Sequence, residues 1–169
     1  IIYTTVETAE MIKYASNSFL ALKISYINEI ANLCETVGAD IHDVASAMGQ
    51  DGRISDKFLH PGPGFGGSCF PKDIESLISI SKEKNIPMET LSAAKKANNN
   101  QKAKMGTKLE KLINAGLKDK KIAVLGLSFK ANTDDVRESS SIDIIEFILS
   151  KGGIVRAYDP IANASMLEL

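Results

Sequence analysis

Lys121-Ile122-Ala123-Val124-Leu125-Gly126-Leu127 is a short apolar run at which the character of the chain changes. A β-branched run of this length is typical of a strand that is buried on both faces. Residues 141–151 then have the apolar spacing of a helix, and Ile154–Tyr158 predicts a second strand that ends at Asp159. Strand, crossover helix and strand together predict a parallel βαβ unit.

The residues before this run have the patterns of helices. Between Thr8 and Val37, apolar side chains recur at steps of three and four, which predicts one face of a long helix that ends at Gly38; they are Ile12, Ala15, Phe19, Leu22, Tyr26, Ile30, Leu33 and Val37. Further helices are predicted from an Asp40 cap to Gly49, from a first turn with Pro71 and Asp73 to about Asn85, and from Met88 to Ala115. We therefore expect a mixed α and α/β fold, with a mainly helical domain at 1–116 and the beginning of a Rossmann-like α/β domain at 117–169.

Composition excludes several classes of protein. The 169 residues carry a net charge of −1 and are 44% hydrophobic, which predicts a globular chain whose principal partner is neither nucleic acid nor membrane. No apolar run approaches the roughly 18 residues that span a bilayer, and no signal peptide is recognisable, so we expect a cytoplasmic protein. Two cysteines 35 residues apart and two histidines do not form a metal-ligand pattern. The first residue, Ile1, and the last, Leu169, predict a piece of a longer protein.

One loop has the composition of a reactive site. Residues 62–73 read Gly-Pro-Gly-Phe-Gly-Gly-Ser-Cys-Phe-Pro-Lys-Asp, so Cys69 follows a glycine-rich segment and precedes a predicted helix start. Glycines allow backbone N–H groups to approach anionic or sugar oxygens, and a thiol near a helix N-terminus and a lysine has a lowered pKa. The alternative is a structural cysteine in a tight turn, with Asp73 as a helix cap.

This loop resembles the active-site segment of the UDP-glucose/GDP-mannose dehydrogenase family. The resemblance extends upstream through residues 9–17 (Ala-Glu-Met-Ile-Lys-Tyr-Ala-Ser-Asn) and downstream through 126–130 and 137–140, so it covers nearly the whole chain. It implies an NAD-dependent, four-electron oxidation of a nucleotide sugar at C6, with UDP-glucose as the expected substrate, in a homodimer or larger oligomer.

The resemblance implies roles for four catalytic residues. Cys69 would be the nucleophile that forms a thiohemiacetal and then a thioester. Lys13 and Asn17, four residues apart on one helix face, would face it and contact substrate oxygen and water. Asp73 would assist proton transfer and thioester hydrolysis through a water. On spacing alone, Lys13 and Asn17 could instead form a solvated polar face.

Binding residues are implied in the same way. Lys72 and Arg137 would contact NAD, although each could also be an ordinary surface cation. The residues expected to bind the nucleotide sugar, in addition to Lys13, are Arg53, Phe58, Leu59, His60, Pro61, Gly62, Gly66, Phe129 and Lys130.

Two alternatives remain open at this level. A different nucleotide sugar such as GDP-mannose would use identical chemistry, and a non-catalytic helical dimerisation or nucleotide-sugar-binding module would use Cys69 as a structural thiol. Gly126-Leu127-Ser128 is not a G-x-G-x-x-G fingerprint, and the family's N-terminal Rossmann domain with its NAD site has no counterpart in these residues. We therefore expect the intact protein, and not this piece alone, to be active.

Overall fold

The computed structural model describes residues 1–168, which form six helices and one two-stranded parallel sheet. In chain order the elements are α1 (Val6–Val37), α2 (Ile41–Gly49), α3 (Phe70–Glu83), α4 (Glu89–Leu112), β1 (Lys121–Leu125), α5 (Ser140–Ser150), β2 (Ile154–Tyr158) and α6 (Asn163–Leu167). The predicted mixed α and α/β fold is confirmed. No helix within 1–168 combines the length and the apolar character needed to cross a bilayer.

The chain divides into two compact units. The first contains Ile1–Gly62 and Cys69–Ala97, and the second contains Pro63–Ser68 and the residues from Asn98 onward. Helix α4 therefore begins in the first unit and ends in the second, and most of the glycine-rich loop groups with the second. The division into domains at Gly116 stays a prediction, because compactness and domain identity are different properties.

Helix α1 has the predicted length, and its buried side chains are not those of the apolar stripe. Gly38, at φ 75°, ends the helix as expected. The apolar stripe is exposed: Phe19 keeps 61% of its surface and Leu33 58%. The buried positions are instead mainly small or polar, namely Ser18, Ala21, Ser25, Ile27, Asn28, Ala31 and Cys34. Small side chains let α3 and the start of α4 lie close to α1, and the Ser25 hydroxyl donates to the Ala94 carbonyl at 2.9 Å.

Helix α3 begins at Phe70, one residue before the Pro71 of the predicted first turn. Its N-cap is Cys69, and Pro71 lies in its first turn, where a missing N–H is tolerated. Asp73 is therefore inside the helix, and the interpretation of Asp73 as the cap is wrong. Its backbone N–H donates to the Cys69 carbonyl at 2.9 Å, which is the first bond of the helix.

The second unit contains the predicted βαβ motif. Strands β1 and β2 are parallel, with Lys121 opposite Ile154 and Leu125 opposite Tyr158, and α5 connects them. The prediction of a strand buried on both faces is wrong, because β1 ends at Leu125 and alternate residues are exposed, Leu125 by 79%. Within residues 1–168 only one face of the sheet is covered. A small core forms there from Leu127, Val136 and Ala162, with Val124, Ile145 and Met166 packed against it.

Candidate active site

A fully buried carboxylate, Asp73, is the centre of a polar cluster in the first unit. The ammonium of Lys13 lies 3.0 Å from Oδ2 and donates to Oδ1 at 3.3 Å, and the Asn17 amide donates to Oδ2 at 2.6 Å. Burial alone would raise the pKa of Asp73, but the hydrogen bonds from Lys13 and Asn17 outweigh it and hold the pKa below its usual value. Asp73 is therefore an ionised acceptor inside the fold.

Lys13 and Asn17 meet at Asp73 because both lie on one face of α1, a single turn apart. The bond to Asp73 raises the pKa of Lys13, partial burial opposes the shift, and the negative charge of Asp73 adds to it. The Lys13 side chain is still 58% exposed, so this cation is fixed at one end and accessible at its surface. The alternative of a merely solvated polar face does not describe these contacts.

Cys69 is exposed at the N-terminus of α3, one turn before Asp73. Its side chain makes no capping bond, so the thiol does not cap its own helix. The first-turn N–H groups and the positive end of the helix favour negative charge at this position. Lys72, in the same turn, is 67% exposed and lies 3.5 Å from Asp73. The second cysteine, Cys34, is buried in α1.

The segment Phe58–Gly62 also belongs to the first unit. Phe58 has φ 64°, an uncommon conformation for an aromatic residue, and its ring lies 6.2 Å from that of Phe70. Leu59 is buried, whereas His60 is exposed. Arg53 folds back on Asp51 and donates through Nε and Nη2, so its guanidinium is held against that carboxylate near the surface.

In the second unit, the loop Pro63–Ser68 is packed so closely that glycine is required. A Cβ on Gly66 would lie 1.9 Å from the Glu138 carbonyl oxygen, and one on Gly67 would lie 2.7 Å from the Phe129 ring. The Gly67 N–H donates to the Arg137 carbonyl at 2.8 Å. Gly66 and Phe129, two predicted substrate-binding residues, are thus parts of one packed structure.

Two cationic residues of this unit that are predicted to bind ligands, Lys130 and Arg137, follow Phe129 closely in the sequence. Lys130 is exposed, with its ammonium 5.3 Å from the centre of the Phe129 ring. Arg137 donates from Nε and Nη2 to the carboxylate of Asp135, and these bonds lower the pKa of Asp135 to about 2. No group of three or more potential metal-ligating side chains lies within the described part of the chain.

Comparison with family models decides the relationship. The model of the UDP-glucose/GDP-mannose dehydrogenase family, central domain, matches residues 7–100, and the model of the UDP binding domain of the same family matches residues 123–169. The chain belongs to the UDP-glucose/GDP-mannose dehydrogenase family. The match to the central domain includes Lys13, Asn17, Cys69 and Asp73.

Individual relatives agree with this membership. The chain is 53% identical over 161 residues to UDP-glucose 6-dehydrogenase YwqF of Bacillus subtilis, covering 94% of this chain and 36% of the relative. It is 48% identical over 160 residues to UDP-glucose 6-dehydrogenase of Rhizobium meliloti, covering 95% and 37%. The structure of a UDP-glucose dehydrogenase from the archaeon Pyrobaculum islandicum matches with a TM-score of 0.90 at 39% identity, covering 96% of this chain and 37% of that one. The chain thus spans just over a third of the length of these dehydrogenases.

Several residues that hold the predicted site of this family member were missed by sequence reasoning. In the first unit they are Lys23 and Asn28 of α1, described below. In the second unit, Asn98 accepts from the Phe65 N–H at 2.8 Å and donates to the Phe65 carbonyl at 3.0 Å, while Ser140 donates to the Gly64 carbonyl. Asn98 opens a run of three asparagines, 98–100, in which only the first is buried, and no sequence signal distinguishes it.

Asp159 is the other missed residue. Its carboxylate accepts four backbone N–H groups, from Leu127, Ser128, Ile161 and Ala162, at 2.8–3.4 Å. These bonds, that from Leu127 most, hold its pKa far below the usual value. The turn after β1, which leads to Phe129 and Lys130, is thereby tied to the end of β2. An Asp directly after a predicted strand was a signal for this role, but it was interpreted only as a strand end.

Proposed function

We propose that the full-length protein oxidises the C6 alcohol of UDP-glucose to the carboxylate of UDP-glucuronate, with NAD as the electron acceptor and Cys69 as the nucleophile. The observation that carries the proposal is the exposed thiol at the N-terminus of α3, one turn from the cluster of Lys13, Asn17 and Asp73. Family membership and the names of the relatives support the reaction class and the sugar.

The proposed roles follow from the charges of the cluster. Removal of a hydride and a proton from the C6 alcohol gives an aldehyde, and the Cys69 thiolate adds to its carbon to form a C–S bond. The oxygen of this adduct takes up a proton to give the thiohemiacetal, which then loses a second hydride and a proton and becomes a thioester. Water then attacks the thioester, the C–S bond breaks, and carboxylate and thiol are released. Lys13, a cation with an accessible surface, stabilises oxygen that becomes negative in each step.

Asn17 and Asp73 prepare the water and the protons in this proposal. Asp73 is held ionised, so it accepts a hydrogen bond from water and passes protons through it. Asn17 fixes the carboxylate at 2.6 Å and leaves its amide oxygen as a further acceptor. Because the aldehyde stays bound to Cys69, it is not released between the two oxidations.

Two molecules of NAD, bound in succession, would each accept one hydride. The residues present fit one part of NAD, since Lys72 and Arg137 each expose more than half of a cationic side chain, 67% in both cases, and cations suit the diphosphate of a dinucleotide. Lys72 would hold it beside the first turn of α3. The hydrogen bonds to Asp135 orient the Arg137 guanidinium.

Each unit contains some of the residues proposed to bind the nucleotide sugar. In the first, Arg53 and the segment Phe58–Gly62, including His60 and Pro61, offer a cation, an aromatic ring and backbone groups. In the second, Gly66, Phe129 and Lys130 offer a close backbone approach, a ring and a second cation. Both sets combine apolar surface with positive charge, which suits uridine and a diphosphate.

Self-association is part of the proposal. The exposed stripe of α1, which includes Phe19, Tyr26 and Leu33, is apolar over several turns and supports a homodimer or larger assembly. The mass of the full-length protein in solution, measured by light scattering, tests it; a monomer at micromolar concentration would remove this part of the proposal.

The deciding experiment measures NADH released per UDP-glucose by the full-length protein, with GDP-mannose and UDP-N-acetylglucosamine in parallel. We expect two NADH per UDP-glucose, loss of steady turnover in Cys69→Ser, and normal turnover in the control Cys34→Ala, which alters the buried thiol. Preference for another sugar would move the protein to that branch of the family. If no sugar gives NADH and no thiol reagent modifies Cys69, the non-catalytic binding module is the hypothesis that remains.

A further inference from the structure

One side chain of α1 organises the chain just before the segment Phe58–Gly62. The ammonium of Lys23 donates to the carbonyl oxygens of Ile54 at 2.9 Å and Ser55 at 3.2 Å, and to that of Lys57. A lysine ammonium has three N–H donors, so all of them are used. Three carbonyls within four residues are thus drawn to a single point on α1.

A second side chain of α1 holds the other end of the segment. Asn28 is 1% exposed, and its Oδ1 accepts from the Gly62 N–H at 2.8 Å. Lys23 and Asn28 are five residues apart, a rise of about 7.5 Å along the helix. The same rigid helix therefore fixes the chain immediately before Phe58 and at Gly62.

The residues between these two anchors need such support. Ser55 and Phe58 have φ of 66° and 64°, conformations that L-residues rarely adopt and that persist only where the surroundings enforce them. Leu59 is the one buried side chain of the segment Phe58–Gly62. Without the two anchors, we expect the backbone at Ser55 and Phe58 to relax into more common conformations.

We propose that Lys23 and Asn28 are positioning residues that set the affinity for the nucleotide sugar by holding the segment Phe58–Gly62, without touching the sugar themselves. Lys23 has no donor left for a ligand, and Asn28 is buried. The proposal rests on the proposed function, in which this segment binds UDP-glucose, and it adds which residues determine KM.

The first test is kinetic and uses the full-length enzyme. In Lys23→Met and in Asn28→Leu, we expect KM for UDP-glucose to rise about tenfold, because only a fraction of molecules keeps the segment in the binding conformation. We expect kcat and KM for NAD to stay within about twofold of the wild type, because the anchored segment contributes to the binding of the nucleotide sugar only. Lys23→Arg keeps a cation with several donors and should recover most of the affinity.

Each variant has a matched control, in which an exposed residue of the same type is replaced. Lys57→Met replaces an exposed lysine side chain just before the segment Phe58–Gly62 and keeps its carbonyl, and Asn100→Leu replaces an exposed asparagine of α4; both should leave KM unchanged. A fall in kcat with unchanged KM in Lys23→Met and Asn28→Leu would mean lost folded enzyme and would overturn the proposal. Unchanged kinetics in both would overturn it as well.

The second test does not need activity. Trypsin cleavage after Lys57, followed by mass spectrometry of the full-length protein, should be several-fold faster in Lys23→Met, and in the milder Lys23→Gln if Lys23→Met does not fold. An equal cleavage rate would refute the anchoring. If the wild type makes no NADH, the proposed function fails, while faster cleavage would still show that Lys23 positions the segment.

Discussion

Replacing Asp73 by Asn tests the central cluster, because the two side chains have the same shape and differ in charge. Asn offers one oxygen, so it can accept from Lys13 or from Asn17, but not from both on separate oxygens as the carboxylate does. A hydrogen bond to a charged group contributes about 1.5–3 kcal/mol, and Lys13 recovers part of its loss in solvent, so we expect Asp73→Asn to lower the free energy of unfolding by about 2 kcal/mol at pH 7.

The pH dependence makes this prediction specific. The folded-state pKa of Asp73 lies below its usual value of 3.8, so ionised Asp73 stabilises the fold fully above the unfolded pKa, and this stabilisation is lost as pH falls through the folded pKa. The difference between wild type and Asp73→Asn should thus be constant from pH 5 to 7 and shrink below about pH 4. Urea unfolding at each pH, with Asp134→Asn as an exposed control, measures it. A difference that is absent at pH 7, or that stays equal at pH 3, would refute the assignment of the charge.

Two further changes test the second unit. Asp159→Asn leaves one oxygen for four backbone N–H groups, so we expect a lower melting temperature and a higher KM for UDP-glucose through the turn that carries Phe129; an unchanged KM would separate Asp159 from the binding loop. Gly106→Ala places a Cβ 2.4 Å from the Phe147 ring, and overpacking of this kind costs about 1–3 kcal/mol, which urea unfolding would detect. Gly116→Ala is not a suitable control for Gly106→Ala, because Gly116 has φ 74° and an alanine there would be strained. A Cβ at Gly62 would meet no atom within 4 Å, so Gly62→Ala adds a methyl group to the loop without a clash.

The element bounds were predictable where capping chemistry is local. Gly38 ends α1 with a positive φ, and the Asp40 carboxylate accepts from the His42 N–H to start α2. The buried face of α1 was not predictable in the same way. Periodicity identifies which side chains are apolar, but the faces that become covered are those where Ala21, Ser25 and Ala31 allow close approach. The apolar stripe therefore located the helix, but it did not identify the side chains that the helix buries.

The candidate site was predictable only in part. The four-residue spacing of Lys13 and Asn17 places them side by side, but their common partner Asp73 is 60 and 56 residues away, and no local pattern encodes that distance. The resemblance supplied the grouping instead. Asn98 and Asn28 carry no motif at all, since a buried asparagine is recognised only once its backbone partner is known.

The buried face of α1 also explains how the candidate site is positioned. Buried polar groups cost free energy unless they are hydrogen-bonded. Three polar side chains of this face bond another segment: Asn17 bonds Asp73 of α3, Ser25 the Ala94 carbonyl of α4, and Asn28 the Gly62 N–H, whereas the buried Ser18 Oγ and Asn28 Nδ2 have no hydrogen-bond partner within residues 1–168. Asn17 and Asn28 are eleven residues apart, which is three turns with about 20° to spare, so they point in nearly the same direction. This face, whose buried side chains are mainly small or polar, is therefore the one that holds three segments in place. It does so because Asn17, Ser25 and Asn28 form hydrogen bonds with other segments of the chain.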